Sequence, residues 1–466
     1  MSHEIRADYN QMQLLPARIE DWIEPDHPAR FVRAYVDSLD LRALGFGERK
    51  SQEGRSNYAN DLMLKVLLYG WFTRTRSSRK LEKACRDTMP FIWLTGDNPP
   101  DHNTIWRFFD NNKEAFKNLF RAMVKVAEEV GLLELTLQAV DGTKIAAAVT
   151  SHGGWHKEEI DKALAEFEKG LSEKEVNEKL NYRLPKDLRE EGQMKERIGA
   201  ARKALEEAGE KHLAKGEPEA RMMKVGRTKA FAYNAQAVVD SKAGIVVAAD
   251  VTSDASDNNQ LVRMMEEAKD NLGGKGARET VADGGYNDGE QLALAEEKGL
   301  SVVVGKSAHE SADRGTYDKR SFKHDAQKDV CICPRGEELK YERTRPAREG
   351  RPELKVYRCR CKECPVRSEC SGDEAGRMIE IGPYEGAVNR QRAKRHEVGR
   401  ELLKKRSTTV EPVFGWIKWA WGFTRWTVRG LTGVKAQWYL MCTINDLFKL
   451  YRAWLAKRFE IPVVKV

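Results

Sequence analysis

The 466-residue chain contains no run of eighteen apolar residues, which excludes a membrane-spanning helix. Its opening, Met-Ser-His-Glu-Ile-Arg, lacks the apolar centre of a secretory signal. Both absences predict a soluble, cytoplasmic protein. Cysteine is scarce: there are eight, and six of them fall between 331 and 370. That clustering argues against a disulfide scaffold and for a metal cluster kept in a reducing compartment. Charge of neither sign dominates. Charged residues make up 33% of the chain and the net charge is +8, so the placement of basic residues matters more than their excess. No Ser-His pairing or isolated Tyr context calls for a covalent protein intermediate. The length allows two to four domains with a substantial core.

Against that background three stretches stand out. Leu135, Leu137, Ala139 and Val140 lead as a strand into Asp141-Gly-Thr-Lys144, with the carboxylate expected at the strand's end. Glu-Thr-Val-Ala-Asp283-Gly-Gly-Tyr286-Asn-Asp288 repeats the pattern. Ser-Thr-Thr-Val-Glu411-Pro-Val-Phe-Gly-Trp-Ile-Lys418 reads as a helix carrying a carboxylate and, about two turns on, a lysine on nearly the same face. Asp250 and Asp288 are read as ordinary turn residues.

The rest of the chain arranges itself around these three. Residues 1–130 read as a helical domain. Within it, Arg74 to Arg86 and Asp101 to Phe109 flank a Gly/Pro turn, a pattern that suits a helix-turn-helix and equally an ordinary helical bundle. Residues 151–219 are Glu/Lys/Ala-rich and read as a helical insertion broken near Leu184-Pro185. Strands at 231–240 and 244–250, a helix at 259–272, the Asp283 strand, a helix at 288–298 and a strand at 300–305 follow. With the Glu411 helix this is the element order of a ribonuclease-H-like α/β core, made of 131–150, 220–305 and 396–455. A second insertion, 306–395, interrupts it.

That second insertion holds the cysteines. Cys331-Ile-Cys333-Pro precedes Cys359-Arg-Cys361-Lys-Glu-Cys364-Pro and Cys370. Close pairs on either side of a long loop suit a tetrahedral all-thiolate zinc site that stabilises a small knob. Cys333, Cys361, Cys364 and Cys370 are the expected ligands, and Cys331 and Cys359 the spares. Reduced, unligated cysteines are the other reading, and Cys85 and Cys442 read as core.

Between Val388 and Arg406 there are eight Lys or Arg against two Glu, the densest basic run of the chain. Arg390, Arg395, Lys405 and Arg406 are expected to face phosphates, although a solvated helix face is the usual explanation of such a run. Trp416, Trp419, Trp421 and Trp426 interleave with Lys418, Arg425 and Arg429. Aromatics beside cations can stack on bases, and at least half of these are expected in the core. The last apolar helix, from Trp438, should close that core.

Carboxylates on adjacent strands plus one on a packed helix can hold two divalent cations about 4 Å apart. Mg²⁺ or Mn²⁺ suits such oxygen ligands. One ion would activate water or a 3′-hydroxyl, the other would stabilise the departing 3′-oxygen, and Lys418 would clamp a phosphate.

The three acidic stretches resemble the acidic boxes of DDE transposases from bacterial insertion sequences, closest to the insertion-sequence-1182-type branch of the insertion-sequence 4/5-like superfamily. The likeness extends to Tyr58–Gly70, His102–Phe108, Met223–Gln236 and the cysteine box Cys361–Cys370. It implies a DNA transposase, an enzyme that cleaves at inverted-repeat ends and transfers 3′-hydroxyls to target DNA, usually as a homodimer in the bacterial cytoplasm at the nucleoid. It implies Asp141, Asp283 and Glu411 as metal ligands, with Tyr286 and Lys418 contacting DNA. By position alone, Trp416, Trp419 and Trp421 are the aromatics that could receive a flipped base in a hairpin step. One departure concerns the Tyr-x2-Arg-x3-Glu-x6-Lys signature, whose Tyr and Arg places hold Lys404 and Ser407 here, Arg406 standing one residue early. The alternatives are a non-catalytic zinc-containing DNA-binding protein and a domesticated nuclease that cuts without integrating.

Overall fold

The computed structural model describes residues 18–463, apart from 48–56, 150–153, 181–182, 191, 308–316, 326, 348–351, 360, 362, 372, 374 and 458. The opening Met1–Arg6 stretch therefore lies outside the described residues.

Among the described residues six α-helices form the N-terminal layer: α1 (Pro28–Asp37), α2 (Asn60–Phe72), α3 (Ser78–Asp87), α4 (Met89–Thr95), α5 (His102–Asn111) and α6 (Ala115–Glu129). Their caps are legible in the sequence. His27 accepts the Ala29 N–H with Pro28 at the first helical position, and Asp101 accepts from Asn103 and Thr104. Gly96 ends α4 in the left-handed conformation. Leu64 to Trp71 is buried almost throughout, so α2 is the centre of this layer.

The main sheet contains β1 (Leu137–Ala146), β4 (Arg221–Val225), β5 (Thr228–Asp240), β6 (Val246–Thr252), β7 (Glu279–Ala282) and β8 (Val302–Val304). Its path is β4-β5-β1-β7-β8, and β6 also pairs with β5. Strand β5 is antiparallel to β1, β4 and β6, whereas β1-β7 and β7-β8 are parallel. Two helices serve the parallel half: α11 (Leu261–Asn271) lies between β6 and β7, and α12 (Gly289–Glu297) between β7 and β8. The order strand, strand, strand, helix, strand, helix, strand read from the sequence is observed with one strand added, β4, which precedes β5 and pairs with it. β5 and β6 are buried along nearly their whole length because both faces of the sheet are covered.

Two differences matter for the site. Strand β1 does not stop at Asp141 but continues to Ala146, because Thr143 to Ala146 keep pairing with β5. Asp141 is thus a mid-strand residue that becomes accessible only because its parallel neighbour β7 ends at Ala282. The second difference is in the insertions. The first contains β2 (Gly154–His156), α7 (Lys157–Glu168), α8 (Glu173–Lys179), α9 (Lys186–Arg189), α10 (Met194–Glu207) and β3 (His212–Ala214), so a two-stranded clasp closes the expected helices. They have a small core of their own around Ile160, Val176, Leu188 and Ile198. The second contains β9 (Lys323–Asp325), β10 (Val330–Ile332), β11 (Glu338–Arg345), β12 (Leu354–Arg358) and β13 (Met378–Ile381) in one antiparallel sheet, with the short α13 (Arg367–Cys370).

The chain returns through α14 (Glu385–Lys394), a π-helical turn at Arg395–Gly399, α15 (Arg400–Gly415), a second π-helical turn at Trp416–Ala420, and the long α16 (Leu431–Lys457). As expected, α16 closes the core. Trp438 is fully buried and its indole N–H donates to the Gln236 carbonyl at 2.9 Å. No helix among the described residues is long and apolar enough to cross a membrane.

Candidate active site

The parallel register sets Val140 beside Ala282, so the next residues, Asp141 and Asp283, emerge side by side. Asp141 Oδ1 accepts its neighbour Gly142 N–H at 2.8 Å, and Asp283 Oδ1 accepts Gly285 N–H at 2.8 Å. The glycines are required by close approach. A Cβ on Gly284 would sit 1.9 Å from the Lys306 carbonyl oxygen, and one on Gly142 would sit 2.3 Å from Gln236 Nε2.

Helix α15 crosses this edge and brings Glu411 and Arg406. The Arg406 guanidinium spans both elements: Nη1 lies 2.8 Å from Asp141 Oδ2 and Nη2 3.4 Å from Glu411 Oε1. Arg406 and Asp141 are mostly buried, whereas the Glu411 side chain is 57% exposed. Lys418 lies on the π-helical turn after α15 rather than two α-turns beyond Glu411. Burial lowers its ammonium pKa; Asp141 opposes that shift and Lys144 adds to it, so all three share one neighbourhood.

Burial pushes the Asp141 carboxyl up from 3.8 to about 6; Arg406 pulls it down, and Asp283 and Asp257 push it further up. A carboxyl whose folded pKa is raised loses stability as pH rises from 3.8 to about 6, and the full cost is present above that window. That cost is on the order of 3 kcal/mol, partly offset in any variant that leaves Arg406 unpaired. Asp141→Asn is therefore expected to stabilise the metal-free protein by about 1–3 kcal/mol above pH ~7 and to have no such benefit below pH ~4. Thermal denaturation of both chains with chelator at the two pH values checks this; a pH-independent difference contradicts it.

Beneath the carboxylates lies a residue that sequence reasoning missed. Asp257 accepts from Lys144 Nζ at 2.7 and 3.0 Å, from Asn234 at 2.6 Å and from Gln236 at 2.8 Å. Gln236 also accepts the Tyr286 hydroxyl. Asp257 lies in the polar stretch after β6, where periodicity carries no signal. The only hint in the sequence is the presence of polar Asn234 and Gln236, both buried, within an otherwise apolar strand.

Several expected DNA contacts are placed differently. Tyr286 is fully buried, its hydroxyl on Gln236, so it supports the Asp283 loop from inside and is not available to DNA. Trp416 packs edge-on against Trp421 at 4.6 Å and against Phe448 at 4.3 Å, at the rim of the core. Trp421 and Trp426 are buried, and Trp419, at 88% exposure, is the aromatic that faces solvent. Arg390 is held by Glu296 at 2.6 Å, and Arg395 reaches the Val304 carbonyl at 3.4 Å, so part of the basic run fastens α14 to α12 and its π-turn to β8. Lys405 is exposed on α15. Asp288 caps α12, and Asp250 is buried between Arg263 and Lys435, so both stand outside the site.

The expected zinc shell is not assembled. Cys361 is joined to Cys359 in a disulfide, which takes it out of the expected set of four. Cys333 accepts the Arg335 and Glu337 N–H groups at 3.3 Å each. Burial raises the Cys370 thiol pKa, Arg377 opposes this, and Cys364 and Cys333 add to it, which places the three thiols near one another. Cys85 and Cys442 are buried core residues, as expected. Among the described residues no group of three or more His, Cys, Asp or Glu stands ready to hold a metal ion, here or at the carboxylates. At the carboxylates the donor atoms are all oxygen, which suits a hard divalent cation, and Arg406 takes up the charge that such a cation would neutralise.

Paired carboxylates on a sheet edge, a third on the helix crossing it, and Arg406, Lys418 and Lys144 around them define a site of the acidic, oxygen-donor class. Residues 332–451 match the family described as transposase DDE domain. Residues 17–111 match the family described as transposase domain (DUF772). Both similarities support a DDE transposase of an insertion sequence. The first stretch contains Glu411, Lys418 and most of the clustered cysteines; Asp141 and Asp283 fall outside both. No curated protein matches the chain.

Proposed function

We propose that the chain is an insertion-sequence transposase of the 1182 type that cuts phosphodiester bonds at the ends of its element and joins the 3′-hydroxyl ends to target DNA. The observation that carries the reading is the Asp141–Asp283 pair on neighbouring parallel strands, tied to Glu411 through one shared arginine. The antiparallel pairing of β6, β5 and β1 followed by the parallel pairing of β1, β7 and β8, with β4 added on β5, supports a ribonuclease-H-like core.

In this reading Asp141, Asp283 and Glu411 would hold two Mg²⁺ or Mn²⁺ ions. Such ions supply activation of the attacking oxygen and stabilisation of the leaving 3′-oxygen in an in-line displacement. Arg406, which bridges Asp141 and Glu411, is placed to reach a non-bridging phosphate oxygen beside them. Lys418, already partly desolvated beside Asp141, holds the scissile phosphate. Asp257 keeps Lys144 and the Gln236–Tyr286 pair in place under the two strand ends. Two ends must be handled together, which favours a homodimer on double-stranded DNA. A zinc knob would use Cys333, Cys364 and Cys370, with Cys361 as a thiol for the fourth ligand.

Iron(II) substituted for magnesium tests the carboxylate site independently of catalysis. With peroxide and ascorbate, the polypeptide is expected to break next to Asp141, Asp283 and Glu411. Scission elsewhere, or none at concentrations that support DNA cleavage, contradicts the assignment.

A further inference from the structure

The helical layer presents a surface that its own core does not explain. Helix α5 buries Ile105, Phe108 and Phe109 and turns Asn103, Trp106, Arg107 and Asn111 outward, a stripe at i, i+3, i+4 and i+8. Trp106 is 51% exposed. The start of α5 is fastened to α3: His102 Nδ1 lies 2.6 Å from Glu82 Oε2, which also accepts the His102 N–H at 3.1 Å. Glu82 is the one acidic residue between Arg74 and Arg86, a stretch with six Lys or Arg, and it is used internally. Gly70 lets α3 lie close on α2, since a Cβ there would meet Leu81 Cδ2 at 2.2 Å. Acidic residues are exposed at the helix ends (Asp87, Asp97 and Asp101). Arg74, Arg79, Lys80 and Arg107 are exposed, and among the described residues none of their side chains has an acidic partner.

We propose that α5 is a DNA-reading helix. It enters the major groove of duplex DNA with Asn103 and Arg107 on base edges and Trp106 against the thymine-methyl edge, while Arg79 and Lys80 hold flanking phosphates. Arginine and asparagine are the side chains whose donor geometry matches guanine and adenine edges, and unpaired lysine and arginine beside them match the phosphate backbone. The surface is tied to the chemistry. Arg76 reaches the Gly422 carbonyl at 3.4 Å and lies 5.5 Å over the Phe423 ring, just after Lys418 and Trp419. A duplex gripped by α5 is therefore held by the body that carries Lys418. The inference deepens the transposase reading and rests on it for the identity of the partner.

The test is selection of duplexes from a randomised DNA library by the full chain in chelator, so that cutting plays no part. The native chain is expected to enrich one sequence. Arg107→Lys and Asn103→Ala should each relax it at one or two positions by roughly tenfold to a hundredfold, with thermal stability unchanged. Arg79→Ala with Lys80→Ala should weaken all duplexes alike and flatten the salt dependence of binding by about two counterions. Enrichment of the same sequence, equally well, by the Arg107 and Asn103 variants overturns the inference, as does enrichment of no sequence by the native chain. The transposase reading is judged separately, by metal-dependent cleavage. A chain that cuts but reads DNA elsewhere refutes only the α5 assignment, and one that reads through α5 but never cuts refutes only the enzyme.

Discussion

Glu411→Gln is expected to lower metal-dependent DNA cleavage by roughly a thousandfold or more while leaving DNA binding largely in place. A divalent ion at a transferring phosphate is worth several kcal/mol, each 1.36 kcal/mol is a factor of ten, and the amide is a poor ligand for a hard cation. The substitution is a clean probe because Glu411 contributes little to the fold. Its side chain is more than half exposed and its one ion pair among the described residues, to Arg406, is long at 3.4 Å. Stability should change by no more than about 0.5 kcal/mol. Single-turnover cleavage beside a gel-shift titration separates the two effects. Cleavage within about tenfold of the native rate would remove Glu411 from the metal site.

Trp438→Ala is expected to cost about 3–5 kcal/mol, the largest single effect on stability anticipated in this chain. Its indole is fully buried, stacked on Phe414 at 6.3 Å and edge-on to Trp426 at 6.2 Å, and it donates to the Gln236 carbonyl. Removing it opens a cavity and leaves that carbonyl without its donor. The effect should reach the site as well, because Gln236 is the residue that joins Asp257 to Tyr286. Urea unfolding of the two chains checks the magnitude, and a loss below about 1 kcal/mol would mean that α16 is not what closes the core.

Much of this architecture is legible in the amino-acid sequence, for a physical reason. Val140 and Ala282 end apolar runs next to Asp-Gly; at Asp283 that signature marks the end of β7, and at Asp141 it finds the carboxylate although β1 runs on past it. The helix around Glu411 is visible from its length and its apolar spacing. Other features are hidden because they depend on partners distant in sequence. β1 runs past Asp141 only because β5 is there to pair with Thr143 to Ala146. Tyr286 looks like a surface tyrosine in a Gly-Gly-Tyr-Asn turn, and its burial is decided by Gln236, fifty positions earlier. Asp257 sits in a polar stretch and gains meaning only from Lys144, Asn234 and Gln236 converging on it. The five-stranded sheet of the second insertion is the largest element the sequence conceals. Its strands β9 and β10 are three residues each, too short for alternation to register.

The basic run shows the limit of counting charge. Of its cations, Arg390 and Lys394 are spent on Glu296 and Glu279, holding α14 to helix α12 and to strand β7. Arg406, an imperfect match to a sequence signature, is the residue that links two of the three carboxylates.

The central claim is that this carboxylate site cuts DNA. Its most direct test is incubation of the native chain with linear DNA carrying the ends of its own element, with Mg²⁺ or with chelator. The account predicts breaks at the element boundary that leave 3′-hydroxyl ends, formed only with the metal. Tight binding of those ends with no break under either condition would contradict it and leave a DNA-binding protein in its place.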